Sequence, residues 1–320
     1  SLLELFCIKF KSVYLFNIKY FKLNNIKTDF TIKDLENLTG IKAHTIRIWE
    51  KRYQILTPER TNGNIRYYDT KNLQKLLNVS LLNKYNYKIS KIAKLSEDSI
   101  VLIARELASK NSLVDDSINS FKMSMFSFDQ ALFNQTYNQL LINKTFRDVF
   151  KDVFIPFLNH IGLMWQTNTL TPAHERFISS LISQKIQINT ESIQQNLLLD
   201  DSQVFVLYLP ENEIHELGLM YLNYELSLRG KKTIYLGQSI PEDNLNSLMA
   251  MFSKINFVTS FTVSPVDSAV DDYLNTIDDK LKNSEHELWV FSHRISDQNP
   301  KKYKSSFSFY NGLFDLLKVL

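Results

Sequence analysis

The chain is poor in the residues that cross-link or punctuate a fold: 320 residues hold one cysteine, Cys7, with seven glycines and seven prolines. A single thiol excludes a disulfide framework and a cysteine-built zinc site, and it fits a reducing, cytoplasmic setting. No glycine-rich loop that could cradle a phosphate is present. No nucleophile–base constellation or metal-hydrolase spacing stands out either, so no enzymatic activity is expected. Long apolar runs are missing as well. Residues 1–29 are apolar and basic, but Lys9, Lys11, Lys19 and Lys22 interrupt them, against a signal peptide or membrane helix. This stretch is expected to be a disordered extension, and no membrane partner is expected. There is no low-complexity tract and no internal repeat.

Hydrophobic residues make up 44% of the chain and charged residues 22%, the composition of a globular protein with several cores. The net charge of +3 conceals an asymmetry. Residues 30–95 carry 13 Lys/Arg against 5 Asp/Glu, whereas residues 96–320 carry 19 against 27. A basic module joined to an acidic remainder points to nucleic-acid contact at one end only.

That basic module reads as a winged helix-turn-helix over residues 30–98. Thr31 can cap a first helix with Asp34 in its first turn, Leu35 and Leu38 facing a core, and Thr39-Gly40 ending it. Ala43 to Tyr53 forms a second short helix, with Ile46, Trp49 and Tyr53 on one face. A turn at residues 61–64 closes a small hairpin. Asp69 or Thr70 caps a third helix to about Tyr85, Ser90 caps a short one over 91–95, and another covers 97–110. Opposite the apolar face of the second helix stand Lys42, His44, Thr45, Arg47 and Lys51, the residue types that reach base edges. Arg60, Asn64, Arg66, Tyr67 and Tyr68 on the wing are expected to meet the phosphates of double-stranded operator DNA.

The expected fold class is multidomain α and α/β: the winged helix-turn-helix, a central helical bundle, and a C-terminal doubly wound Rossmann-like α/β domain. Residues 99–120 are assigned to a connecting helix and a polar linker. Residues 121–198 form the bundle, with segments near 127–143, 145–165 and 171–188. Residues 199–320 alternate strand and helix, with strands at 204–209, 232–237, 257–263 and 287–292, and a last helix at the C-terminus. After the first strand comes Glu213-Ile214-His215-Glu216-Leu217-Gly218. At that position imidazole can ligate a transition metal, Gly218 allows close approach to a planar ligand, and Glu213 can accept the other ring N–H. Taken alone, a histidine in such a loop is usually a plain surface or capping residue. His174 and Glu175 are adjacent on a helix and face different ways, so they are not read as a metal site. His160 is read as a helix-end or surface residue.

The run TIRIWEKRYQILTPERTNGNIRYYD resembles the MerR family of regulators, with Arg47, Trp49, Glu50, Pro58, Arg60, Arg66 and Tyr68 at its characteristic positions. A helical bundle followed by an α/β domain with Glu-x-His-x-x-Gly resembles the cobalamin-binding pair of methionine synthases. Behind a MerR-type head, the whole of about 30–320 resembles the CarH/LitR-type regulators. The resemblance implies that His215 is the lower cobalt ligand and that Trp165 and Glu175 cover the upper face. It implies too that Ser260 and Thr262 retain part of the motif after the third strand. Three departures stand out. Arg176, rather than histidine, follows Glu175; Gln166 stands where the photoreceptors place a histidine after the tryptophan; and residues 287–296 lack glycine. A Gly-Gly in that last region normally makes room for the nucleotide tail, and here Ser292 and His293 are expected to project into the slot. The implied function is a DNA-binding regulator that senses a ligand, a cobalamin, where bundle and α/β domain meet. Sensing would be coupled to self-association as a dimer or tetramer and to operator binding. A cofactor-free, degenerate scaffold remains an alternative, as does a corrinoid carrier for methyl transfer, against which the basic winged helix argues.

Overall fold

The computed structural model describes residues 29–60, 64–110, 114–166, 170–195, 200–295 and 299–320. The extension over residues 1–28, the turn at 61–63 and Ser296 lie outside the described residues. The described chain falls into two compact units divided between residues 181 and 182.

The first unit opens with β1 (Asp29–Phe30), α1 (Ile32–Thr39), α2 (Ala43–Tyr53), β2 (Glu59–Arg60), β3 (Arg66–Asp69) and α3 (Thr70–Lys84). Thr31 and Asp34 form a reciprocal capping box: the Asp34 N–H donates to Thr31 Oγ1 at 3.2 Å and the Thr31 N–H to Asp34 Oδ2 at 2.7 Å. Gly40, at φ 74°, ends α1 in the left-handed conformation that glycine adopts without a Cβ clash. The strands pair antiparallel in the order β1-β3-β2, with Phe30 opposite Tyr68 and Arg60 opposite Arg66. Phe30 and Tyr68 are fully buried with Leu35, Leu38 and Ile46, the core that fixes the angle of α2. Asp69 caps α3, accepting from the Asn72 N–H at 2.8 Å. Next come α4 (Ile89–Ile92) and α5 (Glu97–Lys110). Ser90 is not the cap of α4. The helix begins two residues earlier, at Ile89 after Lys88, without a side-chain cap.

The polar stretch expected to be a linker is helical from Val114 onward, in α6 (Val114–Ser127). Its polar residues face inward. Buried Asp116 accepts from Lys84 Nζ at 2.8 Å and from the Tyr85 hydroxyl, and the Ser120 hydroxyl donates to the Asp116 carbonyl at 3.1 Å. Composition alone marks such a segment as solvated, but its partners lie on α3. Phe126 meets Phe30 edge-on at 5.9 Å between ring centroids, so α6 is packed onto the winged module.

The bundle continues with α7 (Gln130–Leu141), α8 (Phe146–Val149), a π-helical turn over Phe150–Phe154, α9 (Ile155–Gln166) and α10 (Pro172–Gln194). Phe121, Phe133, Tyr137, Phe154 and Phe157 fill its centre with ring centroids 4.9–6.1 Å apart. His174 is buried here too, stacked on Phe128 at 4.9 Å and 2.8 Å from Thr171 Oγ1. Burial lowers its pKa to about 4. The neutral ring therefore contributes stability that is complete above the unfolded value near 6.5 and is lost as pH falls toward 4, up to roughly 3 kcal/mol. We expect urea midpoints of the protein to fall between pH 7 and pH 5, and His174→Gln to flatten that slope. An unchanged slope in the variant would remove His174 as the cause.

The second unit contains β4 (Asp200–Pro210), α11 (Leu217–Leu228), β5 (Lys231–Ile240), α12 (Leu245–Met251), β6 (Ile255–Thr259), α13 (Val270–Leu281), β7 (Glu287–Phe291), β8 (Ser306–Tyr310) and α14 (Leu313–Leu317). All its strands are parallel, in the order β5-β4-β6-β7-β8. The order reverses between β4 and β6, which places a topological switch point at their carboxyl ends. Val206, Tyr208, Phe257, Leu288 and Val290 form the core with Leu274 and Ile277 of α13. Strand β6 stops at Thr259, so Ser260 and Thr262 lie on the following loop rather than in the strand. Strand β8 was not anticipated from the sequence. Its Ser-Phe alternation is that of a half-buried edge strand, whereas its neighbours are continuous apolar runs. No described helix is long and apolar enough to cross a membrane.

Candidate functional site

In the winged module, Ile46 and Trp49 anchor α2 to the core and leave Lys42, His44, Arg47 and Lys51 exposed, with Thr45 half-buried. Lys42 also reaches back to Glu36 at 3.2 Å. The Ala43 N–H donates to the other oxygen of Glu36 at 3.2 Å, so Glu36 supplies the cap that Lys42 does not. Hydrogen bonding from Lys42, then from Ala43, holds the Glu36 carboxyl below its ordinary range. On the wing, Arg60 is exposed and donates to Asn64 Oδ1 at 2.5 Å, which orders the two side chains together.

Tyr68 departs from expectation. Strand alternation turns it inward, where it is fully buried and its hydroxyl donates to Glu50, so it does not meet phosphate. Burial, then the bond to Glu50, pushes its pKa up. Glu50 also pairs with Arg66 at 3.4 Å, joining α2 to β3 through one carboxylate. Tyr67, on the other face, donates to Glu59 across the hairpin. Sequence reasoning missed this organising role of Glu50, and it missed exposed Arg52 and Ile48, the latter 46% exposed. Their signal was positional: residues 48 and 52 lie four apart beside the 47–51 row, on one accessible strip of helix.

In the second unit the loop after β4 carries Glu213, which is fully buried, and His215, which is 19% exposed. Glu213 Oε1 accepts from the N–H groups of Ile214 and His215 at 2.9 and 3.0 Å and lies 2.5 Å from His215 Nδ1. Its Oε2 accepts from the N–H groups of Thr262, Val263 and Ser264 at 2.8, 2.6 and 3.0 Å. Burial pushes this carboxyl up, but the bond and charge of His215 and the backbone donors outweigh it, and the pKa is lowered to about 2. An ionised carboxylate only accepts, so His215 Nδ1 donates to it and the ring is held in one orientation. Glu216 accepts from Tyr235 at 2.7 Å and from Gln238 at 2.5 Å, tying the same loop to β5.

Gly218 stands in the first turn of α11, where an added Cβ would lie 3.6 Å from Phe291 Cε2, an ordinary contact. Packing alone therefore does not require glycine there. Thr262 is buried and serves Glu213 through its backbone, and Ser260 is half-buried beside it. In the bundle, Glu175 lies in the first turn of α10 and accepts from Ser179 at 3.3 Å, and Arg176 is exposed. Trp165 belongs to α9, and its side chain lies outside the described residues. Ser292 does not project into an open slot. It is buried and donates to the Phe261 carbonyl at 2.6 Å, while His293 packs on Gly312.

The basic winged module and the bundle that follows define a regulator with a DNA-binding head and a sensory half. Residues 30–99 match the profile described as MerR HTH family regulatory protein, and residues 117–188 match that of the B12 binding domain. The chain is similar to the HTH-type transcriptional repressor CarH of Myxococcus xanthus, 28% identical over 222 residues that span 68% of this chain and 73% of that one. Its fold is similar to that of the monomethylamine corrinoid protein of Methanosarcina barkeri, at a TM-score of 0.52 and 12% identity, over 64% of this chain and 94% of that one. At that identity the likeness concerns fold alone.

Proposed function

We propose that this ligand-sensing transcriptional regulator binds duplex operators through α2 and the β2–β3 wing, and senses a cobalamin held by His215. The observation that carries the sensing half is the Glu213–His215 pair, an oriented imidazole with a buried, ionised carboxylate behind it. Among the described residues no group of three or more His, Cys, Asp or Glu could hold a metal ion. A lone imidazole is a poor site for a free ion, but it suits a metal whose equatorial positions are already filled by ring nitrogens, as in a corrin. The donor set therefore fits the group, which when bound would supply the cobalt centre. Glu213 fixes the ring and its tautomer, His215 offers Nε2, and Gly218 leaves room for a flat ligand. Helix-turn-helix proteins read paired half-sites, which supports self-association as a dimer or tetramer on DNA.

The test is absorbance spectroscopy of purified protein titrated with adenosylcobalamin in the dark, followed by operator mobility shifts with and without the ligand. We expect uptake by the wild type, a loss of roughly tenfold or more in affinity for His215→Ala, and a change in operator binding with ligand. Gly218→Ala should keep its melting temperature while losing affinity. Equal uptake by His215→Ala would exclude His215 as the anchor. A wild-type protein that stays colourless would mark the sensory half as a cofactor-free scaffold.

A further inference from the structure

Resting on the corrinoid reading above, we propose that the α/β unit takes the ligand by its macrocycle alone and buries no nucleotide tail. It would then favour cobinamide, the corrin without its nucleotide loop, over complete cobalamin. In a doubly wound sheet an appendage enters at the carboxyl ends of the strands, near the switch point. Among the described residues, the gaps from β4 across to β8 are bridged by the chain's own groups. Between β4 and β6, Glu213 Oε2 bridges to the N–H groups of Thr262, Val263 and Ser264 at 2.6–3.0 Å. Beyond β6 and β7, the buried Ser292 hydroxyl donates to the Phe261 carbonyl at 2.6 Å. Toward β8, the Ser292 N–H donates to the Tyr310 carbonyl at 3.0 Å. The His293 ring lies 3.1 Å from where a Cβ on Gly312 would stand, and its Nδ1 is 2.9 Å from Asn311 Oδ1.

Opening any of these gaps would break a buried hydrogen bond or displace a packed ring. His215 remains partly accessible beside them, so a flat ligand can rest on the loop, while an appendage would have to break these contacts to pass among the strands. The sign of the preference follows from coordination chemistry. One axial position cannot hold two bases, so cobalamin must release its own lower base before His215 can bind. With no place to bury that base, nothing in the α/β unit offsets its release. Cobinamide has no such base.

Titration of the wild-type protein with aquacobinamide and with hydroxocobalamin, read by absorbance and by thermal shift, decides the matter. Cobinamide should bind more tightly, by roughly tenfold, and His215→Ala should lose that binding. A Ser292→Gly/His293→Gly double variant should gain affinity for cobalamin with little change for cobinamide. If that variant does not fold, the wild-type comparison stands by itself. Cobalamin binding as tightly as cobinamide, or more tightly, overturns the preference and leaves corrinoid sensing intact. Uptake of neither overturns both.

Discussion

Arg47→Ala lowers affinity for a duplex selected from a random pool by the wild-type protein, by roughly 10- to 100-fold, the loss expected when a recognition-helix arginine is removed. Arg47 is exposed on α2, while Ile46 and Trp49 on either side of it in sequence are buried and hold the helix still. The variant therefore removes a contact without removing the element that presents it. Arg60→Ala should act differently, weakening all sequences alike and reducing the salt slope by about 0.9 for one lost phosphate contact. Tyr68→Phe should leave the slope unchanged, because its hydroxyl is spent on Glu50. Fluorescence anisotropy over a range of salt concentrations separates these behaviours. Full operator affinity in a folded Arg47→Ala protein would refute the assignment of α2 as the reading helix.

Glu213→Ala destabilises the second unit by about 3 kcal/mol, the scale of removing one partner from a buried charged network. The carboxylate collects backbone donors from its own loop and from the loop after β6, so its loss orphans both sets. Glu213→Gln should fall between the two, since its single amide oxygen can serve only one set. The wild type carries a matching pH signature. Its folded pKa of about 2 lies below the ordinary 4.5, so the stability is present above pH 4.5 and is lost as pH falls toward 2. The alanine variant lacks that component. Chemical unfolding at neutral and acid pH measures both effects, and a difference under 0.5 kcal/mol at neutral pH, roughly that of an ordinary surface change, would be too small for this network.

The winged module was legible because its signals are local. The Thr31–Asp34 cap, the spacing of Ile46 and Trp49, and the Asp69 cap all act within a few residues, and the elements form where those signals fall. The Glu213–His215 pair, two residues apart, was legible for the same reason. What stayed hidden depended on distant partners. Asp116 is polar in sequence but buried in space, because Lys84 and Tyr85 reach it from 32 and 31 residues away. The second oxygen of Glu213 finds its donors 49 to 51 residues later. Ser292 was expected to obstruct a slot, yet it is consumed by a carbonyl 31 residues earlier. Tyr68 is a milder case: its position in a strand next to Tyr67 already implied opposite faces.

The packing of α6 on the winged module has a mechanical side. Asp116 clamps Lys84 and Tyr85, and Phe126 wedges against Phe30, whose strand is paired with the one bearing Arg66 and Tyr68. Helix α6 is thus fastened to the winged module at two points, so a tilt of α6 would be expected to carry α2 with it, like a lever arm bolted to the reading head. In a twofold assembly, a small swing of that arm would alter the separation of the two heads and so their match to half-sites one helical turn apart.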